Sequence, residues 1–279
     1  MDIRKLCERS RDEFEDWCRL RSASHPINPM RAMCRLFGQY PFYVDLADEH
    51  MGPHLILDGF WESWTAMAVV RFVKPNWRCI DVGANHGVFT VLLSKLATEG
   101  RVFAFEPNSR SFEFLQENTR INGCSNADAS PLAIGDSVSE GVLRWKRGNP
   151  TSASLLPAPK DHPYRQDECS EPVGVSRLDA LVRGDVHFIK IDAEGMDYEV
   201  IRGAQALMDA NPKCSILFEH AGFLLGPEDV QKQLLAEAMD RCNVGVLHNI
   251  GYDGWWKPVE PREVAASDPN RVWNLLIKR

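Results

Sequence analysis

The chain lacks a long apolar run. Its longest mostly apolar stretch, Thr65 to Val70, is far below the roughly 20 residues that span a bilayer, so no membrane-crossing helix is expected. It lacks any Cys-x-x-Cys pair among its eight cysteines, which argues against a zinc or redox motif and for reduced structural thiols. Five of those cysteines, from Cys34 to Cys214, recur every 45 residues, but their flanks do not repeat and no internal repeat is inferred. It also lacks an excess of basic charge: 32 Lys and Arg against 39 Asp and Glu leave a net charge of −7. That is the wrong sign for a chain that works on phosphate backbones, so nucleic acid is not an expected partner. Residues Met1 to Lys5 lead directly into further charges with no apolar stretch, so a secretory signal is not expected and a cytoplasmic location is.

What is present is an ordinary globular composition, 44% hydrophobic and 25% charged, with apolar side chains enough for a sizeable core. Residues 2 to 23 carry Ile3, Leu6, Phe14, Trp17 and Leu20 at helical spacing and predict one brace-like helix. Phe42-Tyr43-Val44 and Leu55-Ile56-Leu57 predict short strands, and Trp61 to Phe72 a helix. From Cys79 onward short apolar runs alternate with amphipathic helices, the pattern of a mostly parallel sheet covered on both faces. Seven strands are expected: Arg78 to Val82, Arg101 to Phe105, Ala129 to Ile134, His187 to Ile191, Ser215 to Phe218, Gly245 to Ile250 and Val272 to Ile277. Helices are expected over Gly87 to Ala97, Ser109 to Asn122, Met196 to Met208 and Pro227 to Cys242. No helix separates the last two strands, so the final strand should be antiparallel. The proline- and serine-bearing stretch from Val142 to Asp179 predicts a long loop, with Thr151 to Ser170 as its mobile, acceptor-facing part.

The most informative stretch is Cys79-Ile80-Asp81-Val82-Gly83-Ala84-Asn85-His86-Gly87, a strand entering a glycine-bearing turn and then a helix. Gly83 and Gly87 let the backbone approach a ligand closely. A dinucleotide fingerprint Gly-x-Gly-x-x-Gly fails, because Asn85 and Val88 stand at its second and third glycines, and Asp81 would repel a phosphate. A ligand with an amino group and a ribose fits better. Asp81 can take a cation, Glu106 at the end of the next strand can accept both ribose hydroxyls, and Asp136 can meet an adenine amino group. S-adenosyl-L-methionine has that pattern.

These blocks, with Phe105-Glu106-Pro107-Asn108, Ala133-Ile134-Gly135-Asp136, Arg177-Leu178-Asp179, Ile189-Lys190-Ile191-Asp192-Ala193-Glu194-Gly195 and Leu217-Phe218-Glu219, resemble the FkbM family of S-adenosylmethionine-dependent methyltransferases over roughly residues 55 to 220. The resemblance implies a doubly wound, Rossmann-like seven-stranded α/β fold and O-methylation of a hydroxyl on a sugar or natural product. It also implies a cofactor set of Asp81, Gly83, Asn85, Gly87, Glu106, Asn108 and Asp136. His86 departs from the small or apolar residue usual there. Residues 1–54 are expected to form an N-terminal extension of helices and short strands, and 55–279 the methyltransferase domain.

The strand tips supply the remaining candidates. Asp192 is expected in the crevice beside the sulfonium, with Glu194 as a cap for the helix near Met196. Glu219 or His220 is the expected proton acceptor, with Asp192 next. His248 reads as a core residue, Trp255-Trp256 as a possible sugar platform, and Gly59 to Glu62 as a segment closing over the cofactor. No metal is expected, since no ligand cluster stands out. The expected acceptor is a small molecule or glycan. Two rival readings are a catalytically silent binding module on the same fold and a nicotinamide-dependent oxidoreductase.

Overall fold

A computed structural model describes residues 2–156, 167–268 and 270–279. Two helices open the chain, α1 (Ile3–Leu6) and α2 (Arg11–Arg19), where one was expected. Ser10 separates them: its hydroxyl accepts the Glu13 amide at 3.3 Å while the Glu13 carboxylate accepts the Ser10 amide at 3.0 Å, a reciprocal cap that starts α2. An antiparallel sheet follows, of β1 (His25–Asn28), β2 (Arg31–Leu36) and β3 (Tyr40–Asp45). Leu55-Ile56-Leu57 is not a strand but the end of α3 (Met51–Leu57). The Asp48 carboxylate accepts the amides of His50 and Met51 at 2.8 and 3.0 Å, and so begins a turn that the apolar run continues as helix. The next helix, α4 (Ser63–Phe72), lies where expected.

The alternating region then gives β4 (Arg78–Val82), α5 (Val88–Leu96), β5 (Arg101–Phe105), α6 (Ser109–Ile121) and β6 (Ala127–Ser130). The third expected strand is split. Pro131 has no N–H to extend the ladder, so β6 stops before it, and β7 (Ala133–Ile134) joins a second sheet. That sheet, in the order β7-β10-β8-β9, occupies much of the stretch read as a loop, with β8 (Ser139–Lys146), β9 (Asn149–Ser154) and β10 (Glu168–Ser176). Its prolines sit where they remove no ladder bond: Pro150 is on the edge strand, and Pro172 lies where β10 has yet to reach β7, which it pairs only at Val175 and Ser176. Of the part expected to be mobile, 151–154 belong to β9 and 168–170 to β10, and 157–166 lie outside the described residues.

The chain continues through α7 (Leu178–Leu181), β11 (Phe188–Ile191), α8 (Asp197–Gly203), α9 (Gln205–Ala210), β12 (Ser215–Ala221), α10 (Gly222–Leu225) and α11 (Glu228–Arg241). It ends with β13 (Leu247–Ile250), β14 (Trp256–Val259), α12 (Pro261–Ala265) and β15 (Val272–Ile277). The main sheet has eight strands in the order β14-β13-β15-β12-β11-β4-β5-β6. From β12 to β6 neighbours are parallel, and β15 is antiparallel to β12 as expected, although α12 and β14 lie between β13 and β15, where no helix was expected. The strand beyond the expected seven is β14, an edge hairpin partner of β13. The fold is a Rossmann-like α/β sandwich.

Apolar cores lie on both faces of this sheet. One joins Leu92 and Val91 of α5 to Met67 of α4 and to Leu6, Phe14 and Phe42 of the N-terminal segment; the other joins Ile189 of β11 to Val200 and Leu235. The N-terminal segment is bolted down by polar contacts too. Arg4 donates to the carbonyls of Val70, Val73 and Leu96, and Asn118 of α6 exchanges hydrogen bonds with the Tyr43 backbone at 2.6 and 3.0 Å. All eight cysteines are free, and all but Cys169 are buried. Among the described residues no helix is long and apolar enough to cross a membrane.

Candidate functional site

Strand order reverses between β4 and β11, and in open α/β sheets the crevice at such a reversal, beyond the carboxyl ends of the strands, is where ligands bind. A cleft of about 680 Å³ opens there, within the range of small-molecule sites. One wall is the turn after β4. Gly83, Asn85 and Gly87 all have positive φ, at +72, +50 and +93°. Both glycines are needed for protein packing: a Cβ on Gly83, which lines the cleft, would lie 1.8 Å from the Asp192 carbonyl oxygen, and one on Gly87, which does not line it, 2.8 Å from Leu115. Gly83 thus lets the β4 and β11 tips touch at the reversal.

Glu106 fastens this turn to the next strand. Its two carboxylate oxygens accept the Asn85 and Asn108 amides, each at 2.8 Å, and burial pushes its pKa up to about 7. Asn85 and Glu106 both line the cleft, and the Asn85 Oδ1 has no hydrogen-bond partner among the described residues. Asn108 does not line it. Its Oδ1 caps α6 by accepting the Ser111 amide at 3.0 Å.

Besides Asn108 and Gly87, three more expected site residues lie outside the lining. Asp81 is fully buried below the cleft lining, accepts the Thr90 hydroxyl at 2.6 Å, and feels the Lys190 ammonium from the paired position on β11, so the cation it faces is internal. Asp136 is exposed and outside the lining, because the split after β6 carries it away with the second sheet. His220 is fully buried between Tyr198 and Gln231. Successive strand residues point to opposite faces, so with Glu219 in the cleft His220 points into the core. The Gln231 side-chain Oε1 accepts from Nε2 at 3.0 Å, which leaves Nδ1 to accept from the Tyr198 hydroxyl at 2.6 Å. Burial also pushes the His220 pKa down. It is not placed to take a proton from a ligand.

The strand tips converge as expected for Asp192, Glu194 and Glu219, all of which line the cleft. Glu194 does not cap α8. Its backbone is left-handed at φ +49°, and its carbonyl accepts the Ser154 hydroxyl at 2.7 Å, tying this tip to the second sheet. Lys190 donates to Asp192 at 3.0 Å; burial works against its charge, but Asp192, Asp81 and Glu62 outweigh burial and hold its pKa above the usual value. Burial and mutual repulsion raise the carboxyl pKa values of Glu194 and Glu219 well above the ordinary range. Asp197, behind them, accepts the Glu219 amide at 3.2 Å and is pushed to about 7 by burial.

The Gly59 to Glu62 segment, Trp64 and the chain's end supply more of the lining, and of these Trp64, Asn249, Tyr252, Arg271 and Asn274 were not found from sequence. Glu62, in a left-handed conformation at φ +42°, faces this group with its pKa raised to about 7 by burial and by Asp192. Trp61 and Trp64 flank it, so the segment Gly59 to Glu62 was a fair signal for this wall. Tyr252, Asn249, Arg271 and Asn274 come from the chain's end. Trp255 and Trp256 lie outside the lining: Arg71 stacks over Trp255 at 4.3 Å, and Trp256 packs on Phe72 at 5.4 Å. His248 also lies outside it. His86 is a core residue, 4.8 Å from the Phe114 ring and pushed down to about 4 by burial. Among the described residues no group of three or more His, Cys, Asp or Glu is arranged to hold a metal ion.

A family model for the methyltransferase FkbM domain matches residues 81–243, more than half of the chain. The protein belongs to this family. The match begins at Asp81, before the turn, and ends just past α11, so it contains Glu106, Asp192 and Glu219 but not Glu62 or Tyr252. The FkbM chain is 33% identical over 163 residues to the hexuronic acid methyltransferase AglP of Haloferax volcanii, covering 57% of this chain and 61% of that one. It is 23% identical over 142 residues to methyltransferase 1 of Beauveria bassiana, covering 44% and 57%. It spans about three-fifths of the length of the curated relatives it matches. The crystal structure of an FkbM methyltransferase from Methylobacillus flagellatus is similar with a TM-score of 0.43 at 16% identity, covering 71% of this chain and 53% of that one. The cofactor of this FkbM protein is S-adenosyl-L-methionine, which replaces the nicotinamide reading.

Proposed function

We propose that the protein is an O-methyltransferase that acts on a hydroxyl of a carbohydrate or carbohydrate-containing small molecule. The observation that carries this reading is Glu219, a carboxylate in the cleft, one strand out from Asp192, whose pKa burial and neighbouring acids raise well above the usual value. In its ionised form a carboxylate so raised is a stronger base toward an alcohol than an ordinary one. The name of the AglP relative, a hexuronic acid methyltransferase, supports a sugar acceptor.

The lining fits the cofactor by its chemistry. Asn85 Oδ1, without a hydrogen-bond partner among the described residues, and the Glu106 carboxylate stand together in the cleft and offer acceptors for hydroxyl and amino donors. Glu106 would hold the ribose hydroxyls, and Asp192 would lie nearest the positive charge. When bound, S-adenosylmethionine supplies an already activated methyl group. The remaining work belongs to the chain. Glu219 takes the hydroxyl proton, Lys190 holds Asp192 in place, and the Gly83 contact fixes the separation of the β4 and β11 tips. Asp81 and Asn108 act one layer down, through the turn. The reading is tested by incubating the protein with labelled donor and a panel of saccharides and other alcohols. Methyl ethers on a saccharide are expected, and donor binding without transfer to any acceptor would favour the silent module.

A further inference from the structure

The cleft has an acceptor-side lining that the family match does not include. Trp64 of α4 and Tyr252, in the loop between β13 and β14, meet edge to face at 5.3 Å. The Arg11 guanidinium of α2 lies over both rings, 5.1 Å from Trp64 and 5.4 Å from Tyr252, and is itself held by Glu15 at 2.5 Å and Ser63 at 3.1 Å. The Tyr252 loop is docked on α4: Arg71 donates to the Asp253 carbonyl at 2.8 Å, and a Cβ on Gly254 would lie 2.7 Å from the Met67 Cβ. Tyr252 is nevertheless 72% exposed, and Phe223, just past Glu219, is 57% exposed in the same lining. A large aromatic ring held rigid on one side by Arg11 and Trp64 and exposed on the other beside a cleft, as Tyr252 is, is preorganised to bind a flat apolar surface. Acids outnumber bases in the lining: Glu62, Asp192, Glu194 and Glu219 face the same space as Lys190, which is paired with Asp192 at 3.0 Å, and Arg271, which stacks on Trp273 at 3.6 Å.

Building on the proposed sugar O-methylation, we infer that the acceptor is a saccharide ring without an anionic group, neutral or amino-bearing, whose C–H face stacks on the exposed Tyr252 ring, which Trp64 props edge to face, while its polar edge meets the carboxyl groups. Pyranose rings present such a C–H face, and hydroxyls or an ammonium are the groups that carboxylates accept. A ring carboxylate would add negative charge to a cluster whose burial and mutual repulsion already raise the pKa values of Glu62, Glu194 and Glu219. Arg11 is a positioning residue that holds the pair from the N-terminal segment.

The test uses the full chain with labelled donor and four probes: the methyl glycosides of glucose, glucosamine and glucuronic acid, and a non-sugar alcohol. At low salt the first two should exceed the glucuronide at least tenfold in kcat/KM. Tyr252→Ala, at an exposed position, should raise acceptor KM about tenfold with kcat and S-adenosylhomocysteine affinity within about twofold. Arg11→Met should raise KM severalfold, and Arg11→Lys should recover most of it. A glucuronide preferred to the other two sugars overturns the charge inference and leaves sugar methylation standing. An unchanged acceptor KM in Tyr252→Ala overturns the stacking site. Label only in the non-sugar alcohol, or in none of the probes, overturns the carbohydrate reading and this inference together.

Discussion

The two sides of the cleft are built in different ways. The side formed by the turn after β4 is a matter of backbone: positive φ at Gly83, Asn85 and Gly87, one carboxylate that accepts two amides, and residues close in sequence. The side formed by Trp64, Glu62 and Tyr252 is a matter of side chains brought from opposite ends of the chain and held by Arg11 and Arg71. The family match covers the first and leaves out the second. A backbone device leaves little room for substitution, whereas a side-chain wall can change its residues without disturbing the sheet, so a common donor side and a variable acceptor side follow from the physics of each.

The largest expected effect lies where the two sides meet. Glu219→Gln removes the proposed base and should lower kcat by roughly 10²- to 10⁴-fold, with S-adenosylhomocysteine affinity nearly unchanged by calorimetry. His220→Ala should instead lower stability, because it leaves Tyr198 and Gln231 without their shared partner. If the two variants exchange these outcomes, the assignment of chemistry to the cleft face of β12 is wrong.

Gly83→Ala tests whether the turn side is a backbone device. The new Cβ would meet the Asp192 carbonyl at 1.8 Å in a left-handed conformation, so a loss of about 3 kcal/mol or more is expected in denaturant unfolding. A mild loss would mean the tips can separate, and the comparison with the adaptable side would weaken. Glu106→Ala should weaken S-adenosylhomocysteine by roughly the 1.5 to 3 kcal/mol of hydrogen bonds to a charged group. Unchanged affinity would remove Glu106 from the ribose role.

The turn side was legible in the sequence because its information is local. A strand, two glycines, an asparagine and a carboxylate at the next strand end specify it with little help from the rest of the chain. The parallel sheet was legible for the same reason, through apolar runs of the right length. Where reading failed, a long-range or single-residue event decided. Pro131 moved half a strand into another sheet and took Asp136 with it; the Asp48 carboxylate turned Leu55-Ile56-Leu57 into helix. Alternation along β12 separated Glu219 from His220, a period-2 argument that was available but unused. Tyr252 could not have been matched with Trp64, since nothing local to either says that they touch.

A pH titration sharpens the comparison from the acidic side. Burial raises the carboxyl pKa of Glu62, Glu106 and Asp197 to about 7 in the fold, against an ordinary value of about 4 to 4.5 when unfolded. Between those values the folded state binds more protons than the unfolded one, so the slope of stability with pH is negative. The contribution is fully present below about pH 4 and is lost as pH rises through about 7. Thermal unfolding of the free protein should therefore show stability falling across this window, and Glu62→Gln should flatten the fall. A stability that rises steadily from pH 4.5 to 7 would contradict the buried acidic cluster.

The smallest effect is expected at Asp136, and it distinguishes the cleft as folded from the cleft as read in sequence. A carboxylate at the end of the third strand was expected to meet the adenine amino group, which would make Asp136→Asn cost a charged hydrogen bond. In the fold β6 ends at Ser130, and Asp136 is exposed beyond β7, outside the cleft lining; its backbone carbonyl, which the substitution keeps, accepts from Arg177 at 3.1 Å. Surface substitutions away from such features usually change stability by no more than about 0.5 kcal/mol. S-adenosylhomocysteine affinity in Asp136→Asn should thus stay within about twofold of the parent, and thermal stability should hardly move. A tenfold loss of affinity would mean that the second sheet swings Asp136 into the cleft when the cofactor binds, and the donor side would then no longer be the rigid, local device that separates it from the acceptor side.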